Sequence, residues 1–271
     1  MYYNIFDSHM HTKNSPDGNH TVRRMCESAV DKGVFGIAIT DHCEIDRYEI
    51  DEYEIRTRNS FNEATELIDE FKQKLVISRG IEIGQATDNV TLAEDVLAKY
   101  PFDIVLGSQH CVNGTDFCLL KTNELSMDEI YDKLEEYYSH VLKLVQWGKF
   151  DVLTHLTYPI RYISGRDGVK VDIKRFSSII EEILRTLVEK NIGLEINSSG
   201  YRQGLNCPMP SIEYIKLYRE LGGEIVTIGS DSHVAQTIGQ NISDSMALLE
   251  QCGFKYFTFF RERKPQFLKL I

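Results

Sequence analysis

Seven short apolar runs punctuate the chain: NIFDSHM, FGIAITDH, LVISRGIEIG, FDIVLGSQH, FDVLTHL, IGLEINSSG and EIVTIGSDSH. Five of them end in a histidine or are followed at once by one, and a sixth sets Glu82 between isoleucines. Stretches of helical period separate the runs, among them 22–33, 57–74, 127–149, 172–191 and 211–223, several ending in Gly or Asn as helix C-caps do. Strands alternating with helices predict a parallel sheet with right-handed crossovers. Seven near-equal units suggest a TIM-like α/β barrel closed on itself rather than an open sheet. Every strand C-terminus of such a barrel lies on one face. The residues that close the runs, His9, His11, His42, Glu82, His110, His155, Asp231 and His233, therefore converge. Only His20 and His140 of the eight histidines stand outside the pattern.

Composition narrows the classes that fit. The 271 residues, 42% of them hydrophobic, suffice for one sizeable core, and a single domain over 1–271 is expected. A formal net charge of −11 repels a phosphate backbone, which argues against non-specific binding to long nucleic acid or to a membrane surface. The six cysteines are scattered without CxxC spacing, so neither a redox motif nor a zinc ribbon is indicated and a reduced, cytoplasmic setting is expected. No apolar run approaches the roughly 18 residues of a membrane span. The N-terminus also lacks the basic-then-apolar order of a leader.

Each polar residue has an ordinary reading beside the chemical one. His9 and His11 stand two apart at the end of a strand expected over Tyr3–Ser8, so they share a face on which two neutral imidazoles can hold a divalent ion. An isolated HxH is as readily a pair of surface or core histidines. Asp231 and His233 in GSDSH repeat the same spacing. Glu82 shares its strand face with Gly80, and an unpaired buried carboxylate is costly enough to call for a cation. Taken singly, His110 and His155 read as core or surface histidines. Asp41 in TDH is either a carboxylate that orients a ligand or a helix N-cap, and Asp17 in SPDG is most simply a turn residue. Their joint occurrence at one barrel face is what points to a metal site.

Taken together, DSHMHT, TDH, GIEIG, GSQH, THL and GSDSH resemble the motif set of the PHP (polymerase and histidinol phosphatase) superfamily of metal-dependent phosphoesterases. THLTYPIRYI and EINSSGYRQG are similar to its histidinol-phosphatase branch. The resemblance implies a distorted seven-stranded β/α barrel carrying three divalent transition-metal ions, Zn, Fe or Mn. Carried over by position, His9, His11, Glu82 and Asp231 hold the first ion, and Glu82, His110 and His155 the second. Asp17, His42 and His233 hold the third. The family often has a histidine where Asp17 stands, and His20 follows in the same loop.

The implied reaction is in-line attack on a small phosphate monoester by a hydroxide between the first two ions. Asp231 accepts the proton, and His233 or a water protonates the departing alkoxide. Arg161 and Arg202 are candidates for forked phosphate contacts, with Arg166 and Lys170 as further candidates, against the plain reading of each arginine as a surface ion pair. L-Histidinol phosphate, an intermediate of histidine synthesis, is the first choice of substrate on the resemblance alone. Glu44, Asp46 or Asp116 would then meet its ammonium group. The alternatives are a general phosphoesterase for other small monoesters or nucleotide ends, and a catalytically silent metal-binding domain.

Overall fold

A computed structural model describes residues 4–270. Its strands, in chain order, are β1 (Phe6–Asp7), β2 (Gly36–Ile39), β3 (His42–Glu44), β4 (Val76–Gly84), β5 (Ile104–Ser108), β6 (Cys111–Val112), β7 (Thr115–Asp116), β8 (Val152–Leu153), β9 (Gly193–Asn197), β10 (Val226–Gly229), β11 (Tyr256–Arg261) and β12 (Lys264–Lys269). The helices are α1 (Val22–Asp31), α2 (Tyr53–Phe71), α3 (Val90–Lys99), α4 (Met127–Trp147), α5 (Tyr158–Ile160), α6 (Ser177–Lys190), α7 (Ser199–Arg202), α8 (Ile212–Glu220) and α9 (Ile242–Gln251).

Parallel pairing runs in the order β1-β2-β4-β5-β8-β9-β10, and β3 adds to the C-terminal half of β4. The ends of that order meet. Ser8 N donates to Ile228 O (2.9 Å), Asp231 N to His9 O (2.8 Å) and His11 N to Ser232 O (2.8 Å), giving the expected seven-stranded, nearly closed barrel. Asp7 fastens the seam from below, accepting from Ser230 N (2.8 Å) and Gly239 N (2.9 Å). These contacts take the place of a regular ladder, so β1 is only Phe6–Asp7 where Tyr3–Ser8 was expected; residue 3 lies outside the described residues.

Local chemistry explains the helices that frame the barrel. Ser126 and Glu129 form a capping box at the start of α4, and Gly148 ends it at φ 68°, the left-handed geometry that favours glycine. On α6, Ile180, Ile183, Leu184 and Leu187 recur at helical spacing and are all fully buried. That helix begins five residues later than its sequence pattern, because the Asp172 side chain accepts from Lys174 N and caps a 3-10 turn over Ile173–Phe176.

The N-terminal end of the barrel is covered by the antiparallel hairpin β11–β12. Thr258 Oγ1 donates to Val226 O (2.7 Å), Ser78 Oγ to Phe260 O (3.0 Å), and the rings of Phe6 and Phe259 stack with centroids 4.6 Å apart. The opposite end, where the strands finish, is the open one.

Candidate metal centre

Register makes the first contact. His42 on β3 lies opposite Glu82 on β4, and Glu82 lies opposite Leu106 on β5, which leads to His110. Glu82 is 0% exposed and its two oxygens face different ways. Oε2 lies 3.3 Å from His9 Nε2, 3.5 Å from His11 Nε2 and 2.9 Å from His42 Nδ1. Oε1 lies 3.0 Å from His155 Nε2 and 3.4 Å from His110 Nε2.

The seam between β1 and β10 brings in the remaining groups. Asp231 Oδ1 stands 3.4 Å from His11 Nε2, and the His9 and His11 Nε2 atoms are 3.0 Å apart, as two imidazoles on one strand face should be. The His11 ring stacks between His42 and His233, with centroids 4.1 and 4.2 Å away. Asp17 reaches the same place from its loop, with Oδ2 3.0 Å from His233 Nε2 and Oδ1 3.8 Å from His42 Nε2. His20 instead accepts a hydrogen bond from Ala235 N on its Nδ1 (3.2 Å), and the partly buried His140 lines a shallow cleft on α4.

Four overlapping triads of donor atoms result: His9, His11 and Asp231; His9, Glu82 and His155; His42, Glu82 and His110; and His11, His42 and His233. All nine expected donors are therefore at one end of the barrel, around Glu82. Several imidazoles present Nε2 to the cluster because their Nδ1 is engaged elsewhere: His11 by Ser15 Oγ (3.1 Å), His110 by Glu44 Oε1 (3.0 Å) and His233 by Asp231 O (3.1 Å). Asp41 is no helix N-cap, and it acts on a ligand through a serine. It accepts from Thr12, Ser15 and Ser60, so it orients His11 only at one remove, and the segment after it is β3 rather than a helix.

The electrostatics are those of a cation site. Burial pushes the Glu82 carboxyl up, but the imidazoles of His9, His42 and His110 outweigh it and hold it well below the usual carboxylate range. Asp231 is likewise raised by burial and lowered further by Arg161 and the neighbouring imidazoles. Burial and the like charges of His42 and His233 push His11 down to about 3, which keeps it neutral and able to coordinate. Glu82 Oε2 and His42 Nδ1 have no aligned hydrogen bond although both are buried and 2.9 Å apart. Two lone-pair atoms so placed, among imidazoles and carboxylates, fit a shared divalent ion.

The profile of the PHP domain matches residues 7–199, and so covers the donors from His9 to His155. The chain belongs to the PHP family. The probable histidinol-phosphatase of Clostridium acetobutylicum is 30% identical over 260 residues, spanning 96% of this chain and 98% of its own. That of Thermotoga maritima is 30% identical over 257 residues, spanning 93% and 94%. Among solved structures, the histidinol phosphate phosphatase of Lactococcus lactis, complexed with zinc, L-histidinol and phosphate, superposes with a TM-score of 0.78 at 26% identity, covering 97% of this chain and 99% of its own. With full-length relatives of this kind, this PHP chain is a phosphoric monoester hydrolase of the histidinol-phosphatase-like branch.

Above the donors of this PHP barrel opens a cavity of about 700 Å³. Arg161 and Arg202 both line it. Arg161 is buried against the rings of Tyr158 and Tyr162, and its Nη1 donates to Asp231 Oδ2 (2.7 Å) and Ser199 Oγ (3.2 Å). Arg202 Nη2 donates to Asp231 O (2.9 Å). Arg161 Nε and Arg202 Nη1 have no hydrogen-bond partner among the described residues. Arg166 is turned away onto Asp167 and the Cys118 carbonyl, and neither it nor Lys170 lines the cavity.

The three acidic candidates part company. Glu44 lines the cavity but is committed to His110 and Gln85, whereas Asp46 accepts from Gln85 away from the cavity wall. Asp116 does line the cavity, its Oδ1 accepting from Tyr158 Oη (2.9 Å) and Cys118 N (2.7 Å). One buried carboxylate of the site was given no role from sequence. Glu195 of β9 lies with Oε1 2.6 Å from His9 Nδ1. It carries the same signal as Glu82, an acid inside an apolar strand. Among the described residues no helix is long and apolar enough to cross a membrane.

Proposed function

We propose that this chain hydrolyses L-histidinol phosphate to L-histidinol and phosphate. In this reading His9, His11, Asp17, His42, Glu82, His110, His155, Asp231 and His233 hold three divalent ions, with zinc the first choice among Zn, Fe and Mn. One observation carries it: a buried donor cluster centred on Glu82 lies beside two guanidinium groups, Arg161 and Arg202, that line the same cavity. The zinc, L-histidinol and phosphate held by the Lactococcus relative support both the metal and the substrate.

Bound divalent ions would lower the pKa of water and neutralise phosphoryl charge. The chain's own residues do the rest. Arg161 and Arg202 grip the phosphate dianion with charge-assisted hydrogen bonds. Arg161 also keeps Asp231 anionic, so Asp231 enters the reaction able to take a proton, with Oδ1 toward His11 and His233. His233 faces the cavity, and it or a water supplies the proton that the leaving alkoxide requires. Asp116, also on the cavity wall, meets the substrate ammonium.

The test compares kcat/KM for L-histidinol phosphate and p-nitrophenyl phosphate on zinc-loaded protein. One charge-assisted contact to the ammonium predicts a preference of about 10- to 150-fold for histidinol phosphate. Equal turnover of both esters would hand the site to a general phosphoesterase. Failure to hydrolyse either ester with a full metal complement would leave a silent metal-binding domain.

A further inference from the structure

Of the seven barrel strands, β9 alone leads into no candidate metal donor, yet its side chains run directly behind those donors. Glu195 and Asn197 stand two apart on β9 and share one face, and Ser199 follows at the start of α7. Glu195 is 0% exposed and is used at both oxygens. Oε1 lies 2.6 Å from His9 Nδ1, while Oε2 accepts from the backbone N of His155 (2.8 Å) and from Asn197 Nδ2 (3.1 Å). Asn197 Nδ2 also lies 3.4 Å from Asp231 Oδ2, and Asn197 Oδ1 accepts from Ser199 Oγ (2.6 Å).

The neighbouring strand makes room for this contact. A Cβ on Gly229 of β10 would fall 2.3 Å from Glu195 Oε1 and 2.4 Å from His9 Cβ, so glycine is required there by close approach. Glutamate and histidine are thus pressed together through a gap that a larger residue would close.

We propose that Glu195 is a positioning residue that couples two donors of the metal centre: it fixes His9 with its proton on Nδ1 and its lone pair on Nε2, and it holds the strand end that carries His155. The inference rests on the metal-site reading above. Its logic is that of donor and acceptor counts. The groups facing the carboxylate are all donors, His9 Nδ1–H at Oε1 and His155 N–H with the Asn197 amide at Oε2, and a carboxylate has two acceptor oxygens for them. An amide of the same shape has one oxygen and one NH₂, so it leaves one donor facing another donor. If the NH₂ faces His9, the ring must take its proton on Nε2, the nitrogen that points at Glu82 and Asp231.

The experiment is Glu195→Gln in the full chain, with zinc as the probe. Chelator competition should show zinc bound about 10- to 100-fold more weakly than by the wild type, the usual cost of losing a partner behind a ligating histidine. At limiting zinc, kcat for histidinol phosphate should fall and recover on adding zinc, with KM little changed, because Glu195 does not line the cavity. A purely structural role would lower Tm and leave the zinc affinity of the folded protein alone, and that result overturns the proposal.

Imidazole-detected NMR of the zinc-loaded wild type gives a second readout, with the His9 signal assigned through His9→Asn. His9 should coordinate through Nε2 and show a strongly downfield Nδ1–H; coordination through Nδ1 overturns the proposal even where Glu195→Gln fails to fold. The zinc affinity and the NMR spectrum use no phosphate ester, so they decide the role of Glu195 whether or not histidinol phosphate is the substrate.

Discussion

Asp103, at the foot of β5, and Glu82, near the head of β4, are buried carboxylates on neighbouring strands that the protein treats in opposite ways. Asp103 is satisfied by protein alone: Oδ2 accepts from Arg79 N and Nε (both 2.9 Å) and Oδ1 from Glu262 N (3.1 Å). Burial raises its carboxyl, and the Arg79 contacts more than reverse that. Glu82 lies three residues along the strand from Arg79 and, among the described residues, has no cationic side chain but histidine against it and keeps Oε2 without an aligned donor. The foot of the barrel closes its charges with a permanent fork. The head leaves donor atoms converging on a point, at a cost in stability that only a cation offsets.

The strongest way to break this contrast is Glu82→Ala. Losing the group that joins two donor sets should remove zinc, read by elemental analysis, and lower kcat/KM by roughly 1,000-fold or more, the scale of several kcal/mol of charge stabilisation. Full zinc content in this variant would show that Glu82 is no more a ligand than Asp103 is. Arg161→Met should follow, with kcat/KM down about 10- to 150-fold for one charge-assisted contact, and Arg161→Lys should recover only part of it. Because Arg161 also holds Asp231, its zinc affinity should be measured alongside. Kinetics equal to wild type would leave Arg202 as the phosphate ligand.

At the foot, Asp103→Ala should cost about 3 kcal/mol, or roughly 6–12 °C in Tm, by stranding Arg79 and two backbone donors. Zinc content should stay unchanged; a loss of zinc would show that the two ends are not separable.

The pH dependence of the zinc-free protein sharpens the same point. Burial pushes His110 down, but Glu44 and Glu82 prevail and lift it to about 10. Its contribution to stability is therefore fully present below the ordinary histidine value near 6.5 and is lost as pH rises toward 10. Thermal melts of chelated protein should show Tm falling between those limits. Zinc-loaded protein should move the other way at first, since ligation needs neutral imidazoles. A flat profile in the chelated protein would remove His110 from the charged cluster. The smallest effect is expected from His140→Ala, within about 0.5 kcal/mol and without change in turnover, as for a helix-surface residue away from the site.

Much of the head of the barrel was legible because its chemistry has a period. Histidines at i and i+2, and acids closing apolar runs, project to one face of any parallel barrel, so His9, His11, Asp231 and His233 could be placed together before the strands were seen. The foot was not legible for a specific reason. The hairpin β11–β12 turns at Glu262 and Arg263, both at left-handed φ (50° and 60°), without the Asn-Gly or Asp-Gly that marks such a turn in sequence. The pairing of Arg161 with Asp231 was hidden as well, since it depends on a π-helical turn over Arg161–Arg166 and on side-chain direction rather than spacing. Glu195 was visible as a residue but not as a partner, because its role lies in contacts to strands far away in sequence.

The seam between β1 and β10 has a consequence for how the chain is made. Ser230 N meets Asp7 across 223 residues of sequence. At 5–20 residues per second, about 10–45 s of synthesis separate the two strands. Until the second arrives, His9 and His11 have neither Asp231 nor the backbone partners that hold their strand in place. A nascent chain therefore offers fragments of a chelating site, and the full set comes together only with a closing contact of very high sequence separation, the slow kind to form. Any truncation before residue 231 should leave a protein that binds metal poorly, so zinc retention doubles as a report that translation reached the last barrel strand and that the ring has shut.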